Sequence, residues 1–588
     1  MKKAIILFIA IFACCLGLRI ETQAQTDVRI GERLHIQTDK DNYLSGELMW
    51  MKLLTTDDRG LPLSFSKVGY VELTDESGSV ARERIDLRGG IGDGTLLLPS
   101  SLPTGYYRLT GYTRHMRNEG SAVFFDKWIG VVNPVVAEVR QGTADGVQPE
   151  VVDRAESSDL VSGAGSISGL TITTDGETYS PRSEVRVSIG GLPADVHTMS
   201  VSVTAHDMTG RLPAPTLGEW LERLPQSGSV PVGNSEAERL EAEYEGPIVT
   251  GRLVSTDTGA PVLNASISPL ISFTGDDIDL FPGRLDRDGG VIFFTSRTNG
   301  TGEVVTTMRG DDSRPMRIDV DDPFTTESLA RPTPTFPVER IDSGAIFRQS
   351  LAMQLRYSYS GDSLNLARKV AQYLFAEPDY RYIMEEWRRF ATMQEVVTEF
   401  IQFARFHREA NGNGEGVDRW HLSVINSDFG NTATALVMVD GIPVFDHGLI
   451  RDYNPLLIDR IDVYYDRFVV GSNIFHGVVA LYTATNTYPE LRVDPFTQIA
   501  SYPSPQPHRM FYAPDYTDAA RRANRLPDYR HTLYWDADVA VEGEHAEVVF
   551  STSDLTGSYR ILIEGMTVTG EPFHAIRDIE VSRNSDSK

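Results

Sequence analysis

Two short motifs hold the residue types of nucleophilic catalysis. Gly361-Asp362-Ser363-Leu364 offers a serine, and Asp528-Tyr529-Arg530-His531 offers a carboxylate three residues before a histidine. A serine activated by a histidine that a carboxylate orients attacks acyl carbons. Such a serine belongs just after the first buried strand of an α/β sheet, with oxyanion donors beside it. Here it follows the polar run Arg356-Tyr357-Ser358-Tyr359-Ser360, and no Gly-x-Asn-Asp block for the oxyanion lies between the two motifs. A helix N-terminus, with Asp362 or Ser363 as cap before residues 364–371, accounts for the motif better.

Other ligand chemistry is as readily explained by structure. Asp276, Asp277, Asp279, Asp286 and Asp288-Gly289 form an acidic stretch of the kind that holds calcium, without EF-hand spacing or a terminal Glu. Asp286-Arg287-Asp288-Gly289-Gly290 reads more simply as a hairpin turn. The 12 histidines include no His-Glu-x-x-His pair, and no phosphate-cradling or dinucleotide glycine motif occurs. Trp128, Trp387, Trp420 and Trp535 fit core positions better than a carbohydrate platform. No catalytic or metal-binding residue is therefore assigned, and no cofactor is expected.

The N-terminus points to export. Lys2 and Lys3 precede an apolar run over 4–18, and Thr22-Gln23-Ala24 offers a small-residue cleavage site. This reads as a signal peptide, 1–24, cut after Ala24. Lipidation at Cys14 is the alternative, although bulky Phe12 spoils the lipobox. Cys14 and Cys15 are the only cysteines, so the processed chain has neither disulfides nor a thiol nucleophile. The formal charge of −27 argues against nucleic acid, which needs basic stripes, and against docking on anionic lipid. With 50 Gly, 31 Pro and 23 Tyr in 588 residues, the mix suits several turn-rich β domains.

Internal echoes support repetition. Thr38-Asp39, Tyr43 and Gly46-Glu47 precede the apolar run 48–54; Thr174-Asp175 and Tyr179 precede the alternating Val185-Arg186-Val187-Ser188-Ile189. Thr104-Gly105-Tyr106-Tyr107-Arg108-Leu109 is echoed by Thr556-Gly557-Ser558-Tyr559-Arg560-Ile561. Each reads as turns and strands of a sandwich module. The predicted division is a sandwich over 28–133, a linker over 142–165, a second sandwich over 166–210, a helix-prone insert over 211–247 broken by Pro225, a third sandwich over 248–324 and a linker over 331–337. An α/β unit follows over 345–490, then a C-terminal sandwich over 530–581. In the α/β unit Thr392-Met393-Gln394-Glu395 fits a capping box, with Val396, Val397, Phe400, Ile401 and Ala404 on one helical face. The fold class is mainly β and multidomain, with one small α/β unit.

These residues resemble known families. Residues 32–126, with Thr38-Asp39, Tyr43, Gly46-Glu47 and Leu102-Pro103-Thr104-Gly105-Tyr106, resemble a macroglobulin-type (Ig-like) sandwich of the alpha-2-macroglobulin superfamily. The second Thr-Asp-x-x-x-Tyr copy resembles another, with Arg182 near where that family favours Gly. Gly251-Arg252-Leu253 followed by Gly259-Ala260-Pro261-Val262 is similar to a carboxypeptidase-regulatory-like (transthyretin-like) module. Leu436-Val437-Met438-Val439-Asp440-Gly441-Ile442-Pro443-Val444, Ile458-Asp459-Arg460-Ile461-Asp462-Val463, Gly471 and Gly477-Val478-Val479 resemble the plug domain of TonB-dependent outer-membrane receptors. About 110 residues follow Ala480, and none reads as a ladder of membrane strands. The serine motif matches the GDSL esterase signature, and the end of the chain resembles type IX sorting domains. As a whole, the order resembles a family of exported Gram-negative proteins that string such modules together, which implies periplasmic or outer-membrane residence. The macroglobulin thioester needs a Cys and is excluded.

The expected function is a non-enzymatic binding or scaffold protein that docks, through its plug-like unit and sandwich edges, to an outer-membrane barrel or transporter component. Asp440, Gly441, Ile442, Pro443, Phe445 and Tyr453 are the candidate binding residues, with the loop 445–453. The alternative is a cell-envelope hydrolase of GDSL type or a macroglobulin-like inhibitor.

Overall fold

The computed structural model describes residues 31–140, 142, 169–205, 216–224, 240–275, 279–296, 302–310, 312, 314–325, 332–338, 342–359, 377–386, 390–409, 419–425, 433–506 and 508–583. Ser363, Asp276, Asp277, Trp387 and the leader over 1–24 lie outside them, as does most of the 142–165 linker. Among the described residues, no helix is long and apolar enough to cross a membrane.

The first domain has eight strands: β1 (Glu32–Thr38), β2 (Asn42–Leu44), β3 (Leu48–Asp57), β4 (Val68–Asp75), β5 (Gly78–Asp86), β6 (Ile91–Leu97), β7 (Gly105–Tyr112) and β8 (Phe125–Val132). They form a sheet of order β1-β3-β6 facing one of order β2-β8-β7-β4-β5. Leu34, Ile36, Tyr70, Leu109 and Ile129 fill the core between them. The turn motif has a clear job. Tyr43 donates to Asp39 Oδ1 (2.7 Å) and to the Lys40 carbonyl (2.8 Å), while Trp50 N–H donates to the same Asp39 oxygen (3.1 Å). Tyr107 closes the other end, its hydroxyl donating to the Pro103 carbonyl four residues back (2.8 Å), as in a tyrosine corner.

The second domain begins the same way, with β9 (Thr171–Thr174), β10 (Thr178–Tyr179), β11 (Glu184–Gly190) and β12 (Val196–Ala205). Tyr179 donates to Asp175 Oδ1 (2.7 Å) and to the Gly176 carbonyl (2.7 Å), reproducing the first turn. After β12 the chain leaves and returns only with β27 (Thr532–Asp536), β28 (His545–Ser551), β29 (Gly557–Thr567) and β30 (Pro572–Val581). The sheets are β28-β11-β9 and β10-β30-β29-β12-β27. Every pairing of the first sandwich recurs, including the parallel pair at the short second strand, β2 with β8 and β10 with β30. Tyr559 even donates to the Leu555 carbonyl four residues back (3.0 Å). The predicted sandwiches over 166–210 and 530–581 are therefore two halves of one. Neither half has enough strands to cover its apolar face, and their shared core holds Val187 and Val201 beside Ile561 and Ile563. Strands β27–β30 are thus integral to the second sandwich.

The first described element of the insert between β12 and β27 is a short helix, α1 (Leu217–Glu222), whose Thr216 and Glu219 form a capping box; residues 211–215 and 225–239 of the predicted helix-prone insert lie outside the described set. A third β domain follows: β13 (Ile248–Ser255), β14 (Ile267–Phe273), β15 (Leu280–Leu285), β16 (Gly290–Phe294), β17 (Glu303–Gly310) and β18 (Met316–Val320). The sheet order β18-β13-β16-β15-β14-β17 curls until its ends meet around Leu253, Ile271, Phe293 and Ile318. Asp286 makes the predicted hairpin turn, accepting from Asp288 N–H (2.8 Å) and Gly290 N–H (2.7 Å).

The predicted linker 331–337 is packed instead: Phe336 is buried with Leu44, Tyr106 and Ile346. Helix α2 (Ser343–Tyr359), at the start of the stretch assigned to the α/β unit, also lies on the first sandwich, where Gln349 donates to both Glu47 oxygens (3.1 and 2.9 Å). The α/β unit itself contains β19 (Tyr380–Ile383), α3 (Met393–Glu399), β20 (Ala404–Glu409), β21 (Arg419–Val424), β22 (Leu436–Val439), β23 (Ile442–Val444), α4 (His447–Arg451), β24 (Ile458–Val470) and β25 (Asn473–Thr483). Its sheet runs β19-β24-β25-β22-β23. The capped helix at Thr392 forms, but it stops at Glu399, so Ala404 belongs to β20. Phe400, at φ −122°, ends the helix, and the apolar positions continue into a strand without leaving the core.

The way back to β27 is an exit strap over 492–530. Its Asp494 accepts from Phe445 and Asp446 N–H groups (2.7 and 3.0 Å). β26 (Gln498–Ser501) adds to β17 of the third domain. Gln506 accepts from Thr95 N–H of the first sandwich (2.6 Å), and Phe511 packs edge-on against Trp50 at 5.3 Å. A final short helix, α5 (Ala519–Arg522), lies before the second sandwich resumes.

Candidate docking surface

The Asp440-Gly441 turn forms where the sequence placed it, between β22 and β23, with left-handed φ values of 47° and 84°. Asp440 is wholly buried. Its carboxylate accepts from Thr483 N–H (2.8 Å), the Thr483 hydroxyl (2.5 Å) and Tyr488 N–H (2.7 Å). Its carbonyl accepts from Gly275 N–H of the third domain (2.9 Å). A Cβ on Gly441 would stand 2.1 Å from the Phe273 carbonyl oxygen. Glycine is needed here both for the turn and for this contact. Ile442 and Pro443 are buried as well.

The predicted binding residues 440–443 thus face the molecule's own third β domain, not solvent. The sequence carries the turn signal but no sign of what covers it. Tyr453 is likewise buried, donating to the Pro489 carbonyl. Phe445 is half-buried and stacks on Phe475, with ring centroids 6.3 Å apart; the Arg309 guanidinium of β17 lies 5.1 Å from its ring. His447 is buried beside it, and its Nδ1 accepts from Leu422 N–H (2.7 Å). Burial, then His421 and Arg309, holds its imidazole down at about 3, so it is neutral and structural.

The part of loop 445–453 that reaches solvent lies farther along. Asp446 caps α4 by accepting from Gly448 N–H (3.0 Å). Arg451 pairs with Asp452 (2.7 Å) and covers Trp420 at 4.6 Å. Leu456, just beyond the loop, is 60% exposed. Exposed apolar side chains, Arg and Trp are common components of protein contacts. Asp452, Asn454 and Leu456 are exposed here and Arg451 and Trp420 half-buried; the sequence reading put Trp420 among core positions and did not single out Leu456, because nothing local marks it as outward-facing.

The histidine and aspartate of the serine motif's partner are held apart in role. Asp528 accepts from Arg530 Nε (2.9 Å) and from the Tyr516 hydroxyl (3.0 Å). His531 lies by Lys40, Glu47 and Arg348, and burial holds its imidazole down at about 4. Asp528 is therefore committed to Arg530 and Tyr516 instead of orienting His531. Trp128 and Trp420 are half-buried and Trp535 is buried. Among the described residues no group of His, Cys, Asp or Glu is placed to hold a metal.

No family model matches the chain, and no curated protein matches it. Solved structures do. Trypsin-activated alpha-2-macroglobulin from Escherichia coli aligns at 10% identity over 94% of this chain and 42% of its own, with a TM-score of 0.24. Salmonella alpha-2-macroglobulin reacted with methylamine aligns at 9% identity over 95% and 40%, with a TM-score of 0.22. The Escherichia coli adhesin FdeC aligns at 11% identity over 51% and 62%, with a TM-score of 0.12. The chain spans about two fifths of the macroglobulins it matches.

Proposed function

We propose that this chain is a non-enzymatic, exported binding and scaffold protein that works at the outer membrane. The observation that carries this reading is the insertion itself. A third β domain and an α/β unit are set into the loop between β12 and β27 of one sandwich, and the α/β unit exposes Asp452, Asn454 and Leu456, with Arg451 and Trp420 half-buried. Loops on rigid sandwiches are a usual place for binding elements. The 440–443 turn is not available for this contact, because Phe273 and Gly275 already cover it. The partner is an outer-membrane barrel or transporter component, contacted through the apolar Leu456 and the Arg451–Trp420 pair.

A photo-cross-linking residue placed at Leu456 in intact cells tests this. Adducts to an outer-membrane protein from position 456, and none from the buried position 443, are the expected result. An absence of adducts at 456 removes the docking reading. Hydrolysis of short acyl esters that disappears in Ser363→Ala would replace it with the esterase alternative.

A further inference from the structure

Arg182 stands in the second sandwich where Gly46 stands in the first. Each lies three residues after the tyrosine that closes the Thr-Asp turn, Tyr179 and Tyr43 respectively. Both backbones are left-handed, with φ 57° for Arg182 and 85° for Gly46. Glycine takes that conformation freely, whereas a side chain bears a strain in it. The molecule thus contains its own control: the turn prefers glycine, and the second copy keeps a strained arginine.

The side chain accounts for this. Arg182 Nε and Nη2 donate to the two Asp554 oxygens (2.8 and 2.6 Å). Nη1 donates to the carbonyls of Arg522 (3.0 Å) and Asn524, and Nη2 to that of Leu526 (2.6 Å). The guanidinium also lies over the Tyr516 ring at 5.2 Å. The three carbonyls belong to α5 and the turn after it, in the exposed stretch 517–527 of the exit strap. Only a planar fork with five donors meets this set of acceptors. Upstream, the same strap has already crossed the α/β unit, the third domain and the first sandwich.

We infer that Arg182 is a latch: it seats the exit strap on the second sandwich and so holds the inserted domains in place against both sandwiches. The latch is independent of which partner the α/β unit binds.

The test is the full chain carrying Arg182→Gly, the residue the first copy uses, with Arg182→Lys as a second variant. Hydrogen–deuterium exchange is followed across 516–528. Spin labels at Leu456→Cys and Val568→Cys, with Cys14 and Cys15 changed to Ser, report the distance between the α/β unit and the second sandwich. Arg182→Gly should exchange about tenfold faster in 516–528 with the core strands β11 and β29 still protected, and the label distances should broaden. Arg182→Lys should behave the same way, since it keeps the charge but loses the fork. Unchanged exchange in 516–528, unchanged distances, or wild-type behaviour of Arg182→Lys overturns the latch. So does a uniform rise over the whole second sandwich, which would mark ordinary destabilisation.

Discussion

Val201 of β12 and Ile563 of β29 are register partners in one sheet, both wholly buried, although the entire inserted pair of domains lies between them in sequence. The pairing makes the second sandwich a discontinuous domain, and its consequences can be measured.

Truncating either side chain to alanine should cost about 2–4 kcal/mol of stability. In a double-mutant cycle the two losses should fail to add, by more than about 0.5 kcal/mol. Chemical denaturation of Val201→Ala, Ile563→Ala and the double variant measures this. Independent sandwiches over 166–210 and 530–581 would show simple additivity.

Arg84 of β5 and Glu243 form an ion pair at 3.4 Å with neither side chain exposed. Glu243 also accepts from the Tyr70 hydroxyl (3.0 Å) and Ile248 N–H (2.9 Å), while Arg84 donates to the Pro503 carbonyl of the strap (2.9 Å). Glu243→Gln leaves a buried guanidinium without its counter-charge and should cost about 3–5 kcal/mol. The exposed pair Arg82–Asp322, 44% and 53% open, should cost no more than about 1 kcal/mol on Asp322→Asn. Equal losses in the two variants would contradict this ranking.

Gly441→Ala should open the contact between the α/β unit and the third domain. Its Cβ meets the Phe273 carbonyl, and its φ of 84° suits glycine. A loss of at least about 1–3 kcal/mol from backbone strain alone is expected. Faster proteolysis around 436–445 than elsewhere would report it.

The buried histidines should each make the fold's stability depend on pH. His35 and His447 are held down at about 3, and His531 at about 4, each mainly by burial. The unfolded chain protonates near 6.5, so below that pH it binds protons that the folded state refuses. The stability these neutral rings contribute is complete above about pH 6.5 and is lost as pH falls towards 4, by up to ~1.4 kcal/mol per pH unit for each. Asp39, Glu72, Glu83, Glu243, Asp494 and Glu564, whose carboxyls burial pushes up, act in the opposite sense, so the histidine contribution is read as a difference between variants. In thermal melts from pH 7.5 to 4.5, the Tm of His447→Gln should fall less with acid than that of the unaltered protein. An unchanged slope would remove His447 from this account.

The sequence by itself determined the local pieces: both Thr-Asp-x-x-x-Tyr turns, both tyrosine corners, the Asp-Gly turn at 440 and the hairpin at Asp286. These depend on side chains bonding to backbone a few residues away, and spacing alone specifies them. It also carried a sign of the packing of the two sandwiches. The apolar run over 48–54, interrupted only by Lys52, puts Trp50 and Leu54 on the outer face of β3, where Trp535 and Met566 cover them. The alternating β11 puts exposed Arg186 at the place of Trp50 and half-buried Gly190 at that of Leu54. What only the tertiary structure decided was which strands share a sheet and which turns stay open. An edge strand's hydrogen-bonding groups are identical whatever strand completes them, so nothing local tells β12 that its partners come after the insert. Likewise, nothing within 440–443 tells that turn that Phe273 will cover it.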